Sequence, residues 1–190
     1  MGKRVYFAFH YQDVIDFRAN VVRNHNAIEG SDKKGYFDAS IWEDAKKHGD
    51  MALKRLINGG LDNTSVTAVL IGSQTCARRW VRYEIMKSVE RGNSVIGVHI
   101  NGIAGSDKRT KAYGSNPFNY LGLQLSDDGS KARPTEWNGQ KFVWYDDLMS
   151  FAPPAWARMQ VGVHYQLSRW FRVYDWIADS GYDSFGGWVA

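Results

Sequence analysis

The chain carries a single cysteine, Cys76, so no internal disulfide framework is available, and a reducing compartment suits it. Apolar runs are short throughout. None approaches the length of a membrane span, and the opening MGKRVYFAFHYQD has a basic flank but too brief an apolar stretch for a signal peptide. A soluble, cytoplasmic protein is expected. An excess of one charge is also lacking: 24 basic residues face 20 acidic ones, giving a net charge of +4. Small clusters sit at Arg78, Arg79 and Arg82 and at Lys108, Arg109 and Lys111. Without a dense basic stripe, neither nucleic acid nor a membrane is an expected partner, whereas a small phosphate-bearing ligand fits the balance. The histidines at 10, 25, 48, 99 and 164 show no metal-ligand spacing, and one cysteine cannot complete a zinc site. No G-x-G-x-x-G follows a strand, no Walker motif occurs, and Ser73 lacks the glycines of a nucleophile elbow.

What is present is a chain of 190 residues, enough for one domain with a sizeable core. Its first half alternates. RVYFAFH (4–10) is an apolar run without polar alternation, as in a strand covered on both faces. Asp13 stands where it can cap a helix whose Val14, Phe17 and Val21 share a face. YFDAS is a short strand ending in a turn, Ser40 and Glu43 have capping-box spacing from which a brief helical turn is expected, and a helix through Leu53, Leu56 and Ile57 is expected to stop at Gly59 and Gly60. SVTAVLIGS is the clearest buried strand, followed by a helix ending at Gly92 and a further strand, SVIGVHI. This order predicts an α/β domain with a mainly parallel sheet, in which Val5 to Phe9, Val66 to Ile71 and Val95 to Ile100 are inner strands. Beyond a polar loop over 101–119, Asp-Gly and Asn-Gly signals predict an antiparallel meander. A final helix is expected from about Tyr165 to Asp179, closed by Gly181.

Aromatic residues make up 14% of the chain, and some are expected at a surface or interface. One stretch combines them with a carboxylate. In RRWVRYEIMKSVE, Trp80 and Glu84 lie four residues apart on one helix face, beside a core stripe of Val81, Ile85, Ser88 and Val89. The helix starts at the carboxyl edge of the sheet, where ligands of such folds bind. Taken singly, a helical glutamate is most often solvated and a tryptophan most often packed.

Together, RVYFAFHYQD, YFDAS, the helix over 49–57, SVTAVLIGSQT and RRWVRYEI resemble, in order and spacing, the pattern of TIR domains over residues 4 to about 100. WVRYEIMKS, NPFNYLG and YDWIADSGY extend the resemblance to the TIR-like ThsB family of bacterial Thoeris antiphage systems. The resemblance implies a flavodoxin-like TIR fold in a single domain, with 1–100 as core and 101–190 as a C-terminal β-meander and helix elaboration. It implies an enzyme that cleaves NAD at the nicotinamide-ribose bond and makes a cyclic ADP-ribose isomer, with NAD as substrate and no further cofactor. The partners implied are a ThsA-type effector reached through the diffusible signal, an unknown phage trigger, and further copies of the chain on activation. Carried over by position, Glu84 is the catalytic residue, and Trp80, Phe9, His10, Tyr11, Asp38 and Trp42 are substrate-binding. The segment from Ala39 to Gly49 corresponds to a mobile loop over the site. The chain departs from TIR domains in having Val81 where a cysteine is usual, Ala8 in place of a serine, and His10 and Tyr11 in place of a basic pair. A non-catalytic TIR interaction module and a nucleoside glycosyltransferase-like enzyme are the alternatives left open.

Overall fold

The computed structural model describes residues 4–25 and 39–190. Two sheets organise it. The first is parallel throughout, in the order β1 (Val5–Phe9), β2 (Val66–Ile71), β3 (Ser94–His99) and β8 (Val173–Asp175). Every β2 residue is buried, which explains why its sequence shows no polar alternation. Of the strands expected inside the sheet, β2 and β3 are flanked on both sides, while β1 pairs with β2 alone among the described strands. Side chains of β1 alternate between two cores. Tyr6 and Ala8 join Ile57, Leu61, Val81 and Ile85 on the face covered by α4 (Asp50–Leu61) and α5 (Arg79–Glu90). Phe7 and Phe9 join Ala19, Val22, Phe185 and Val189 on the face covered by α2 (Arg18–Arg23) and α6 (Gly181–Trp188).

The second sheet is the expected meander. β4 (Leu121–Leu125), β5 (Ala132–Trp137) and β6 (Phe142–Trp144) run antiparallel, joined through Gly129 and Gly139, whose positive φ is what the Asp-Gly and Asn-Gly turns require. β7 (His164–Gln166) adds to the free side of β4. Phe118, Leu121, Leu123 and Leu167 carry this sheet into the α4/α5 core.

Four local expectations are corrected. Asp13 is not a cap: α1 (Tyr11–Ile15) starts after His10, and Asp13 lies buried in its first turn. Phe17 adopts φ 65°, which breaks the helix and resets its phase, so Phe17 is 59% exposed and Val21 also faces solvent while Ala19 and Val22 go inside. α4 runs through Gly59 and Gly60 to Leu61, because Ile57, Gly60 and Leu61 are packed on the core and packing outweighs the glycine penalty of about 1 kcal/mol. No helix covers 165–179. That stretch is spent on β7, a 3₁₀ turn and β8, where β-favouring Tyr165 and Val173 pair across strands, and Gly181 opens α6 rather than closing a helix. A Cβ at 181 would run into Trp176.

Candidate active site

The carboxyl edge of the parallel sheet carries a cavity of about 330 Å³. β1 delivers Phe9, with His10 and Tyr11 following; α3 (Ala39–Lys47) contributes Trp42 and Lys46; α5 and the turn before it supply Ala77 to Val81 and Glu84. Six of the seven residues expected at the site therefore line one cavity: Glu84, Trp80, Phe9, His10, Tyr11 and Trp42. Asp38 and most of the YFDAS stretch, expected as a short strand, lie outside the described residues, and its Ala39 and Ser40 begin α3.

Ala39 to Lys47 is not a loop. It forms a helix that ends just before Gly49, and Gly49, at φ 85°, turns the chain into α4. Trp42 is half-buried and leans on the core cluster. Its indole is thus a wall of the cavity as well as a packed group.

Glu84 is 2% exposed, against the expectation that it merely flanks the core. The reason is visible on the helix. Val81, Glu84, Ile85 and Ser88 stand at i, i+3, i+4 and i+7, so Glu84 belongs to the buried stripe. Tyr6, on β1 beneath it, donates a hydrogen bond from its hydroxyl to Glu84 Oε1 at 2.7 Å. Burial pushes the Glu84 carboxyl up to about 8, with the Tyr6 bond pulling weakly the other way. Tyr6 itself is pushed well above the usual tyrosine range by burial and by the neighbouring carboxylate. Below Glu84, Ser88 Oγ bonds the Glu84 carbonyl at 2.7 Å and Thr67 Oγ1 meets Ser88 Oγ at 2.8 Å, which ties this turn of α5 to β2.

Three cations border the cavity and differ in what holds them. Arg79 is clamped by Asp147, through two bonds of 2.7 Å, and by Asp50 at 2.8 Å, while its guanidinium lies 4.7 Å over the Trp80 ring. Lys46 pairs with Glu43 at 2.9 Å. Arg78 bonds Gln74, forms no ion pair with a described carboxylate, and acts on the Asp13 carboxyl only through space. Burial, helped by Arg78 and Lys111, holds the His10 imidazole below its ordinary value. Burial also raises the Cys76 thiol, which leaves it a poor nucleophile. Tyr6 and Lys46 were not singled out in the sequence, and the arginines at 78 and 79 appeared there only as a basic cluster. Tyr6 gave no local signal, since its contact with Glu84 spans two elements far apart in the chain.

The model of the "Thoeris protein ThsB, TIR-like domain" family matches residues 6–104, slightly more than half of the chain. The chain belongs to the ThsB family of TIR-like proteins. A relative from Bacillus cereus (strain MSX-D12), named "Putative cyclic ADP-D-ribose synthase ThsB1", is 58% identical over 191 residues, covering 100% of both chains. The ThsB match ends just past β3, so β8 and the meander lie beyond it. Arg82 and Glu136, paired at 2.8 Å, bridge the matched region to the meander. Among the described residues no group of histidine, cysteine and acidic side chains could hold a metal, and no helix is long and apolar enough to cross a membrane.

Proposed function

We propose that this protein cleaves NAD between nicotinamide and ribose and closes the remaining ADP-ribose into a cyclic isomer. The observation that carries the reading is Glu84: a buried carboxyl, held by Tyr6, opening onto a cavity walled by Trp80, in a chain similar along its whole length to a protein named for cyclic ADP-ribose synthesis. The residue types suit the chemistry. As the glycosidic bond breaks, its electron pair leaves with nicotinamide, which departs neutral and needs no strong acid. Positive charge develops on the ribose ring. A carboxylate close to that charge, in a low-dielectric pocket, stabilises it far better than water does. Trp80, Phe9, Tyr11 and Trp42 give the flat ring a wall to stack on and limit the entry of water.

The pKa of Glu84 fits a cationic substrate. Raised to about 8, the carboxyl holds its proton near neutral pH until a cation approaches it. A pyridinium ring entering the cavity favours the carboxylate, so binding itself charges the catalytic group. Arg78, the bordering cation without an ion pair, is placed to take a substrate phosphate. The product then acts as a diffusible signal to a ThsA-type effector, and an infection cue, acting through assembly of further copies of the chain, raises an otherwise low activity.

The test is to incubate the purified protein with NAD, with and without extract of phage-infected cells, and to identify products by mass spectrometry and NMR. Cyclic ADP-ribose and free nicotinamide are the expected products. NAD left intact under both conditions would return the protein to the class of interaction modules, and turnover of nucleosides in place of NAD would make it a glycosyltransferase.

A further inference from the structure

A second cavity, of about 570 Å³, lies beside the first. Both are lined by Ala77, the last residue of the 3₁₀ turn Thr75–Ala77, so this turn forms the ridge between them. The first cavity is at the small end of the range for small-molecule sites, about 300–1,000 Å³. It matches one nucleoside half of a dinucleotide and leaves the other half to be housed elsewhere. The second cavity has the groups that half requires. Trp137 and Tyr120, both partly exposed, are brought together where the Trp137 amide donates to the Tyr120 carbonyl at 2.8 Å. Asn138 uses its side-chain oxygen to accept from the backbone of Gln140 and Lys141, which leaves its NH₂ as a donor not engaged by any described residue. Glu136 takes Arg82 on Oε2 and keeps Oε1 as an acceptor. Aromatic faces with one donor and one acceptor beside them are what a purine with an amino group and a ribose with hydroxyls would use. Across the ridge, Arg78 and Arg82 sit one helical turn apart, the first lining the Glu84 cavity and the second its neighbour.

We infer that the second cavity is the adenosine subsite, and that the dinucleotide bends over the Thr75–Ala77 ridge with its phosphates between Arg78 and Arg82. The inference rests on NAD being the substrate. It gives the meander a purpose, because Trp137 and Asn138 end β5 and open the turn to β6. It also accounts for ring closure. With adenosine held next door, a hydroxyl or ring nitrogen of that half faces the ribose carbon as nicotinamide departs with the bonding pair. The nucleophile's lone pair forms the new bond, and a hydroxyl's proton passes to Glu84 or to water. Where adenosine is not held, water attacks the same carbon and the product is linear ADP-ribose.

The experiment uses AMP as a probe of the full chain, followed by tryptophan indole NMR, together with product analysis from NAD. AMP is expected to shift the Trp137 signal and to bind at least about tenfold more weakly to Trp137→Ala, as the loss of a stacked ring does, and likewise to Asn138→Ala, while Trp80→Ala keeps its AMP affinity. Among NAD products, the ratio of cyclic to linear ADP-ribose is expected to fall by about tenfold in Trp137→Ala and to be largely restored in Trp137→Phe, which a loss of folding alone would not produce. Asn138 lies on an exposed turn, so Asn138→Ala keeps the test valid if Trp137→Ala folds poorly. Unchanged AMP affinity in both variants, AMP lost on Trp80→Ala instead, or an unchanged product ratio would each overturn the subsite. Wild-type protein that binds AMP at Trp137 but leaves NAD intact would sink the enzymatic reading and not the subsite.

Discussion

Glu84 combines a buried position with the charge-bearing task proposed for it, and that combination makes two predictions. The first is that Glu84→Gln lowers product formation at least a hundredfold, about what removing a focused charge from a developing cation costs, with substrate turnover measured by nicotinamide release. Stability should move the other way. The folded carboxyl titrates at about 8, above its ordinary 4.5, so the folded state holds the proton more tightly. Its contribution to stability is complete below the unfolded value and is lost as pH rises through about 8. Glu84→Gln should therefore melt with the wild type near pH 4 and progressively above it toward pH 9; a pH-independent difference would show an unshifted carboxyl. The second prediction is kinetic: kcat/KM rises about tenfold per pH unit below pH 8 and levels above it, while the limb for kcat lies at lower pH because the bound cation favours the carboxylate. The pairing of Trp80 with Glu84 was legible from spacing and resemblance. The depth of Glu84 was also legible, in the 81, 84, 85, 88 rhythm, but a charged residue in a core stripe is read as a boundary residue unless a partner is in view. That partner, Tyr6, comes from another element and leaves no trace near residue 84.

At the scale of elements, runs with one dominant period were readable and runs with two competing ones were not. β2, α5 and β3 announce themselves because each is apolar in one rhythm and bounded by turn residues. The 165–177 stretch has aromatic residues at helical spacing and β-favouring neighbours at once, and pairing of Val173 with Gly97 decided it for a strand. α3 shows the reverse, a polar segment that folds as a helix because Trp42 finds the core. Trp42→Ala is expected to change NAD turnover per folded molecule by about tenfold or more through loss of the cavity wall, with a modest fall in melting temperature. Thermal melts run beside turnover assays decide it: a large fall in melting temperature with unchanged turnover would make Trp42 a packing residue only. The loop after β3 provides another test. Gly114 passes against the Gly72 carbonyl so closely that a Cβ would overlap it. Gly114→Ala should destabilise the protein by about 1–3 kcal/mol, the usual cost of overpacking, read as a lower denaturation midpoint at unchanged slope.

At the scale of the molecule, the matched region and the folding unit differ. Residues 6–104 carry the family pattern, yet β8 extends the parallel sheet and Trp176, Phe185 and Val189 complete one of its two cores. The other core runs on into the meander through Phe118, Leu121 and Leu123. A fragment comprising 1–104 is therefore expected to lack a cooperative thermal transition, although it contains every residue lining the Glu84 cavity; a sharp melt by circular dichroism would contradict this. The parallel register of β8 beside β3, Gly97 against Val173, bears on timing as well. A contact so distant in sequence is slow to form, and it waits for the β8 residues to leave the ribosome. A nascent or prematurely ended chain thus has Glu84 without a finished scaffold to aim it, and under the proposed function synthesis itself keeps the enzyme silent until β8 is in place.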